Sequence, residues 1–176
     1  EMYWNTSAIV FFNRMKKEYD NFWTNARRQK AHQQELTPVQ VSILASIVQS
    51  ETKQDAEKPR VAGVYLNRLR QSWKLEADPT LVYAIGDFSI KRVLNEYKTI
   101  DSPYNTYKYF GLPPGPICLP DISSIDAVLN AENHQFMYFC AREDMSGFDA
   151  FAKDYNTHLL NAKRYQAELN RRNIKK

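Results

Sequence analysis

Glu51 follows the apolar residues Ile43 and Ile47 by eight and four positions, with Leu44 and Val48 beside them on the same helical stripe. A carboxyl held among apolar walls is penalised in its charged form, so it retains a proton near neutral pH and can deliver it to a leaving group. That is the profile of a general acid. The same periodicity also admits a helix that ends at Glu51 with the side chain in water. Asp78 would matter as a second carboxylate for glycoside chemistry, although Asp78-Pro79 reads first as a helix N-cap and first-turn pair. His32, His134 and His158 match no metal-ligand spacing, and Cys118 and Cys140 are too few for a disulfide framework or a zinc site. No nucleophile elbow, phosphate loop or dinucleotide fingerprint occurs. Carboxylate chemistry remains, with no cofactor or metal expected and Glu51 as its best-placed group.

The helix that must position Glu51 has a legible start. Thr37 fits the N-cap, Pro38 the first helical position and Gln40 the reciprocal capping-box position, with Leu36 and Val41 as a hydrophobic staple. Upstream, the spacing of Ile9, Phe12, Met15, Tyr19, Phe22, Trp23 and Ala26 predicts one long amphipathic helix over residues 6–33, its aromatic stripe packed on the domain. Downstream, a helix starting near 55–59 buries Val61, Val64, Tyr65 and Leu69, and a short helix 80–85 is stopped by Gly86. Residues 99–120 hold five of the eight prolines, two of the five glycines and three tyrosines, so they cannot form a regular helix. A long irregular stretch of this kind serves either as a binding loop, where Tyr104, Asn105 and Tyr107 suit sugars, or as a wall packed on the core. A short helix 123–130, strands at 136–141 and 148–152, and a final helix from Asp154 with the face Tyr155, Leu159, Ala162, Tyr165 and Leu169 complete the reading.

The predicted class is therefore α+β: a helix-rich single domain over 1–176 with a small antiparallel β element and a long Pro/Gly/Tyr loop beside a cleft. Residues 1–35 form its leading helix and 36–160 its motif-bearing core. A chain of 176 residues, 43% hydrophobic and 13% aromatic, is long enough to bury a real core. Its 24 basic and 20 acidic residues are interleaved, and the one basic run, Arg171, Arg172, Lys175 and Lys176, ends a predicted helix where cations suit the dipole. Nucleic acid is not an expected partner. No stretch reaches the length of a membrane span, and the opening at Glu1 reads as an excised portion of a longer protein.

Five blocks in register resemble the endolytic lytic transglycosylases of the bacterial cell wall, the YceG-like family. They are LASIVQSET from Leu44 to Thr52, VYLNRL from Val64 to Leu69, LEADPT from Leu75 to Thr80, DSPYNTY from Asp101 to Tyr107, and GLPPGPI from Gly111 to Ile117. Phe151 and His158 match a further spacing. The resemblance implies that Glu51 is the catalytic residue, and that Asn67, Arg68, Asp78, Thr80, Tyr104, Asn105, Thr106, Tyr107, Gly111, Pro113 and Pro114 fall on substrate-side signatures. Three positions depart from the family's pattern: Gln49 and Glu76 stand where many relatives have glutamate and glutamine, and Asp149 where they often have histidine. Position 49 lies about 200° around the helix from Glu51, so the loss of a glutamate there leaves the acid in place, whereas Glu76 would raise the Glu51 pKa if close.

The implied reaction is nonhydrolytic cleavage of the β-1,4 bond between N-acetylmuramic acid and N-acetylglucosamine, with Glu51 as acid and then base and a 1,6-anhydro end as product. The resemblance further implies peptidoglycan strands as substrate, cell-wall synthases as possible partners, and a full-length protein held in the inner membrane by a single upstream helix. A LysM-like module would precede this domain on the periplasmic side. Two rival readings are a noncatalytic peptidoglycan-binding or scaffolding module and a lysozyme-like hydrolase that uses Glu76 or Asp78 as its second carboxylate.

Overall fold

Helix α3 (Pro38–Glu51) is the axis of the molecule, in a computed structural model that describes residues 3–90 and 93–172. Its capping box is formed in both directions: the Gln40 N–H donates to Thr37 Oγ1 at 3.3 Å, and the Thr37 N–H donates to Gln40 Oε1 at 2.8 Å. Val41 and the unbroken run Ile43 to Val48 are buried. A helix apolar all round belongs inside a domain, and α3 packs against α2 (Asn25–Gln33), α4 (Lys58–Arg70), α5 (Asp78–Ile85) and α6 (Ile122–Leu129).

The core around α3 takes Val61, Ala62, Tyr65 and Leu66 from α4, Ile125 and Val128 from α6, and Leu75 and Ala77 from the approach to α5. Gln49 joins two of these elements. Its Oε1 accepts the Asp121 N–H at 2.5 Å and the Ser124 hydroxyl at 3.1 Å, covering the start of α6, where Asp121 makes no side-chain cap. Gly86 ends α5 in the left-handed conformation at φ 78°, as a glycine stop requires.

Strands β1 (Tyr138–Ala141) and β2 (Asp149–Ala152) pair antiparallel, Phe139 opposite Phe151 and Ala141 opposite Asp149. Helix α7 (Tyr155–Arg171) lies on both strands, its start capped by Asp154 Oδ1, which accepts the Thr157 N–H at 2.9 Å. The described residues thus form seven α-helices, a 3₁₀ turn at Asn95–Thr99 and one two-stranded sheet, an α+β architecture. Lys175 and Lys176 of the predicted basic run, and Glu1, lie outside the described residues.

Three expectations are corrected. The single helix over 6–33 is two: α1 (Ala8–Phe22) stops at Trp23, which is buried in the core, and Thr24 starts α2 by accepting the Arg27 N–H at 3.3 Å. Most of the stripe of α1 does not pack on the domain; Ile9, Phe12, Met15 and Tyr19 are exposed, Phe12 at 61%, and within α1 only Phe22 at its end is packed, partly buried, against the core. On α7 only Leu169 of the predicted face is buried, while Tyr155 and Leu159 remain exposed.

Candidate active site

Glu51 is the last residue of α3 and lies where two cavities meet. One, of about 490 Å³, is the more apolar of the two, with Pro79, Val82, Tyr83, Phe88 and Ile117 in its lining. The other, of about 300 Å³, is polar and aromatic, with Tyr65, Arg68, Glu76, Tyr107, Tyr138 and His158. Among the described residues, Glu51 and Asp78 alone line both.

The Tyr65 hydroxyl donates to Glu51 Oε1 at 2.6 Å. Burial raises the Glu51 pKa from 4.5 to about 7; the Tyr65 hydrogen bond and Arg68 oppose the rise, and the negative charges of Asp78 and Asp149 add to it. Tyr65 is itself pushed well above the usual phenol range by burial and by Glu51, so it remains a donor. Glu76 lines the polar cavity, but it is not among the groups that shift Glu51: the carboxylates acting on Glu51 are Asp78 and Asp149, so the condition set for Glu76 is not met. Asp149 is raised to about 6 by burial and by Glu57, whose carboxylate accepts the Asp149 N–H at 3.0 Å.

Asp78 is also not the N-cap. Ala77 occupies that position, and Asp78 is the first helical residue of α5, with no capping hydrogen bond from its side chain. It accepts the Tyr107 hydroxyl at 2.5 Å. Burial and this bond raise the Tyr107 pKa, which keeps the donor protonated.

The remaining predicted positions divide between cleft and scaffold. Arg68 is buried beside the polar cavity, its Nε donating to the Met137 carbonyl at 2.9 Å and its Nη1 to that of Leu75. Asn67 turns away, donating to the carbonyls of His134 at 2.9 Å and Phe136 at 3.0 Å, which holds the approach to β1. Thr80 and Thr106 are buried and share a 2.8 Å hydrogen bond, and Thr106 Oγ1 accepts the Ala77 N–H at 3.0 Å. Asn105 is fully buried and ties the loop to itself: Nδ2 donates to the carbonyls of Lys98 and Ile100, and Oδ1 accepts the N–H groups of Tyr107 and Lys108. Tyr104 packs its ring 4.7 Å from Tyr83, behind the apolar cavity. Gly111 supplies a turn at φ 81°, Pro113 is buried and Pro114 exposed; none of the three lines either cavity. The 99–120 segment is therefore wall and cleft together, with Tyr107 and Ile117 facing the cavities and Asn105 and Thr106 behind them.

Tyr65, Tyr138 and Tyr155 lining the polar cavity were not singled out as site residues from sequence. A tyrosine on the buried face of α4 was itself a signal, since a buried hydroxyl needs a partner. His158 stacks on Tyr138 with ring centroids 5.2 Å apart, and its Nδ1 is buried without a hydrogen bond. Burial and Arg68 lower its pKa, which favours a neutral ring.

A family model described as YceG-like matches residues 1–164. The chain belongs to the YceG-like family. It is 37% identical over 127 residues to a protein of Bacillus subtilis strain 168 named endolytic murein transglycosylase, covering 72% of this chain and 34% of that relative. A protein of the same name from Streptococcus pneumoniae serotype 2 is 33% identical over 110 residues, covering 60% of the chain and 20% of the relative. The crystal structure of a YceG-like protein of Listeria monocytogenes superposes with a TM-score of 0.75 at 30% identity, over 91% of this chain and 50% of that one. This YceG-like chain thus spans about a third or less of the length of those two curated relatives.

Proposed function

We propose that this YceG-like domain is a peptidoglycan lytic transglycosylase that uses Glu51 as general acid and then general base. The observation that carries the reading is a carboxyl with a pKa of about 7 at the junction of two cavities, so that a strand crossing the cleft presents a glycosidic bond to a group able to hold or take a proton at neutral pH. Protonated Glu51 gives its proton to the glycosidic oxygen as the C1–O4 bond breaks. The muramic C6 hydroxyl attacks C1, its proton passes to the Glu51 carboxylate, and the new C1–O6 bond leaves a 1,6-anhydro end. A nucleophile tethered in the substrate has a high effective concentration and takes the place of water. Tyr65 on Oε1 directs the mobile proton to Oε2 in both steps.

The relatives' names support murein as the substrate. We place the domain on the outward, periplasmic side of the inner membrane, with the full-length protein anchored upstream and working beside cell-wall synthases. Incubation with glycan strands stripped of peptides, followed by mass spectrometry, tests the chemistry. Anhydro ends, lighter by one water than hydrolytic ends, are expected. The position of Asp78 beside Glu51 favours hydrolysis as the second reading, and a free reducing end on every product would establish it in place of transglycosylation.

A further inference from the structure

We propose that Asp78 is the second charged catalytic group of this site, its carboxylate lying against the anomeric carbon and stabilising the positive charge that develops there as the glycosidic bond breaks. The inference deepens the transglycosylase reading and rests on it. Its basis is geometric: of the described residues lining the two cavities, only Glu51 and Asp78 belong to both. The boundary between two sugar-sized cavities is where the bond between two sugars lies, so whatever borders both cavities borders the scissile bond.

Asp78 is also free of the structural duty its sequence position announces. The start of α5 is held without it: Ala77 is the cap, the Thr80 hydroxyl donates to the Ala77 carbonyl at 2.7 Å, and the Ala77 N–H donates to Thr106. Oδ1 of Asp78 accepts the Tyr107 hydroxyl, which anchors one end of the carboxylate, and Oδ2 has no protein partner among the described residues. A fixed anion with one uncommitted oxygen is what a developing oxocarbenium ion requires, because a preorganised charge needs no reorientation as the bond breaks. Asp78 forms no bond to carbon in this scheme. C1 passes from the leaving oxygen through the oxocarbenium ion to the C6 oxygen on the same face, and Asp78 exchanges no proton.

The two carboxyl groups are differentiated by their surroundings. Glu51 is set into the wall under Tyr65, whereas Asp78 is exposed, and its charge is one reason Glu51 holds a proton. The other groups acting on Glu51 are Arg68 from α4 and Asp149 from β2, while Glu76, Tyr107 and the His158 ring of α7 line the same cavity. Asp149 lines neither cavity, which makes it the control for charge acting at a distance.

The experiment compares Asp78→Asn, Asp149→Asn and Glu51→Gln with the parent domain on peptide-free glycan strands, measuring kcat and KM across pH and the unfolding midpoint. In Asp78→Asn the amide oxygen still accepts from Tyr107, so the fold and KM should be retained while kcat falls by about 10²–10³-fold. Loss of either negative charge should move the alkaline limb of the pH profile to lower pH, and only Asp78→Asn should also lower the plateau. A plateau unchanged in Asp78→Asn, or lowered equally in Asp149→Asn, overturns the proposal. Undiminished cleavage by Glu51→Gln instead overturns the reading on which it rests. If Asp78→Asn unfolds, Asp78→Glu decides: a catalytic anion predicts partial activity, and full activity with a displaced carboxylate overturns the assignment.

Discussion

Glu51 and Asn105 are both polar side chains set into the apolar interior, and the protein treats them in opposite ways. Asn105 is wholly buried, with both amide protons and its oxygen engaged by four backbone groups of one short segment. Among the described residues the Glu51 carboxyl receives one hydrogen bond, from Tyr65, and it opens on two cavities. A fully satisfied buried amide is scaffold, since its removal strands its partners. A desolvated carboxyl with unused bonding capacity is at an energetic disadvantage when charged, so it holds its proton and keeps an oxygen free for a ligand.

The widest separation between the two should come from Glu51→Gln. Cleavage should fall by about 10²–10⁴-fold, the usual contribution of general acid–base catalysis, with the fold intact. Stability should respond to pH in a defined direction. Folded Glu51 keeps its proton to about pH 7 while the unfolded chain loses it near 4.5, so between these values the folded state binds more protons and the parent loses stability as pH rises. The total is about 3 kcal/mol. Denaturant unfolding at pH 5 and pH 8 should show that Glu51→Gln lacks this loss; a steeper decline in the variant would contradict the assignment of the raised pKa.

Asn105→Ala should act the other way. Breaking four buried hydrogen bonds and stranding their backbone partners should lower stability by about 3 kcal/mol, and the molecules still folded should cleave at nearly the parental rate. Titrating active molecules against the folded fraction separates the two effects, and loss of turnover in fully folded Asn105→Ala would show that the loop staple takes part in catalysis.

A smaller effect is expected from Tyr65→Phe. Removing a hydrogen bond that favours the carboxylate should shift the alkaline limb to higher pH and lower the plateau by roughly tenfold, as the acid proton is no longer directed to one oxygen. A limb moving to lower pH would mean that Tyr65 acts by packing alone. The smallest change should follow Phe12→Ser on α1, within about 0.5 kcal/mol of the parent, because the ring is exposed.

Local signals carried much of this to the surface of the sequence. The Thr37 box, the Pro59 and Pro79 helix starts, the Gly86 stop and the two strands depend on neighbours a few residues away, and these were readable. Glu51 was also readable, though for a weaker reason than its phase implied. Since the run Ile43 to Val48 of α3 is buried on every side, facing the stripe does not by itself distinguish inside from outside; it selects which neighbour is met, and Tyr65 on α4 is that neighbour. Illegible features were those decided by distant partners. Asp78 carries a strong local cap signal, yet Thr106 and Thr80 hold the helix start and release it. Asn67 and Asn105 resemble sugar ligands in type, and only their carbonyl partners reveal them as scaffold. Tyr138, Tyr155 and His158 reach the cleft from the far end of the chain through the β1–β2 pair and α7, a placement no local pattern encodes.

The outward face of α1 separates the motions of the molecule as well as its energies. An isolated helix of fifteen residues is marginal in water, and α1 has only the partly buried Phe22 at its end to hold it. Its backbone amides should therefore trade hydrogen for deuterium through local opening long before those of α3 and α4, whose protection ends only when the whole domain comes apart. The core beneath would stay closed while its leading helix forms and melts as an independent unit, so the catalytic wall need not register that motion.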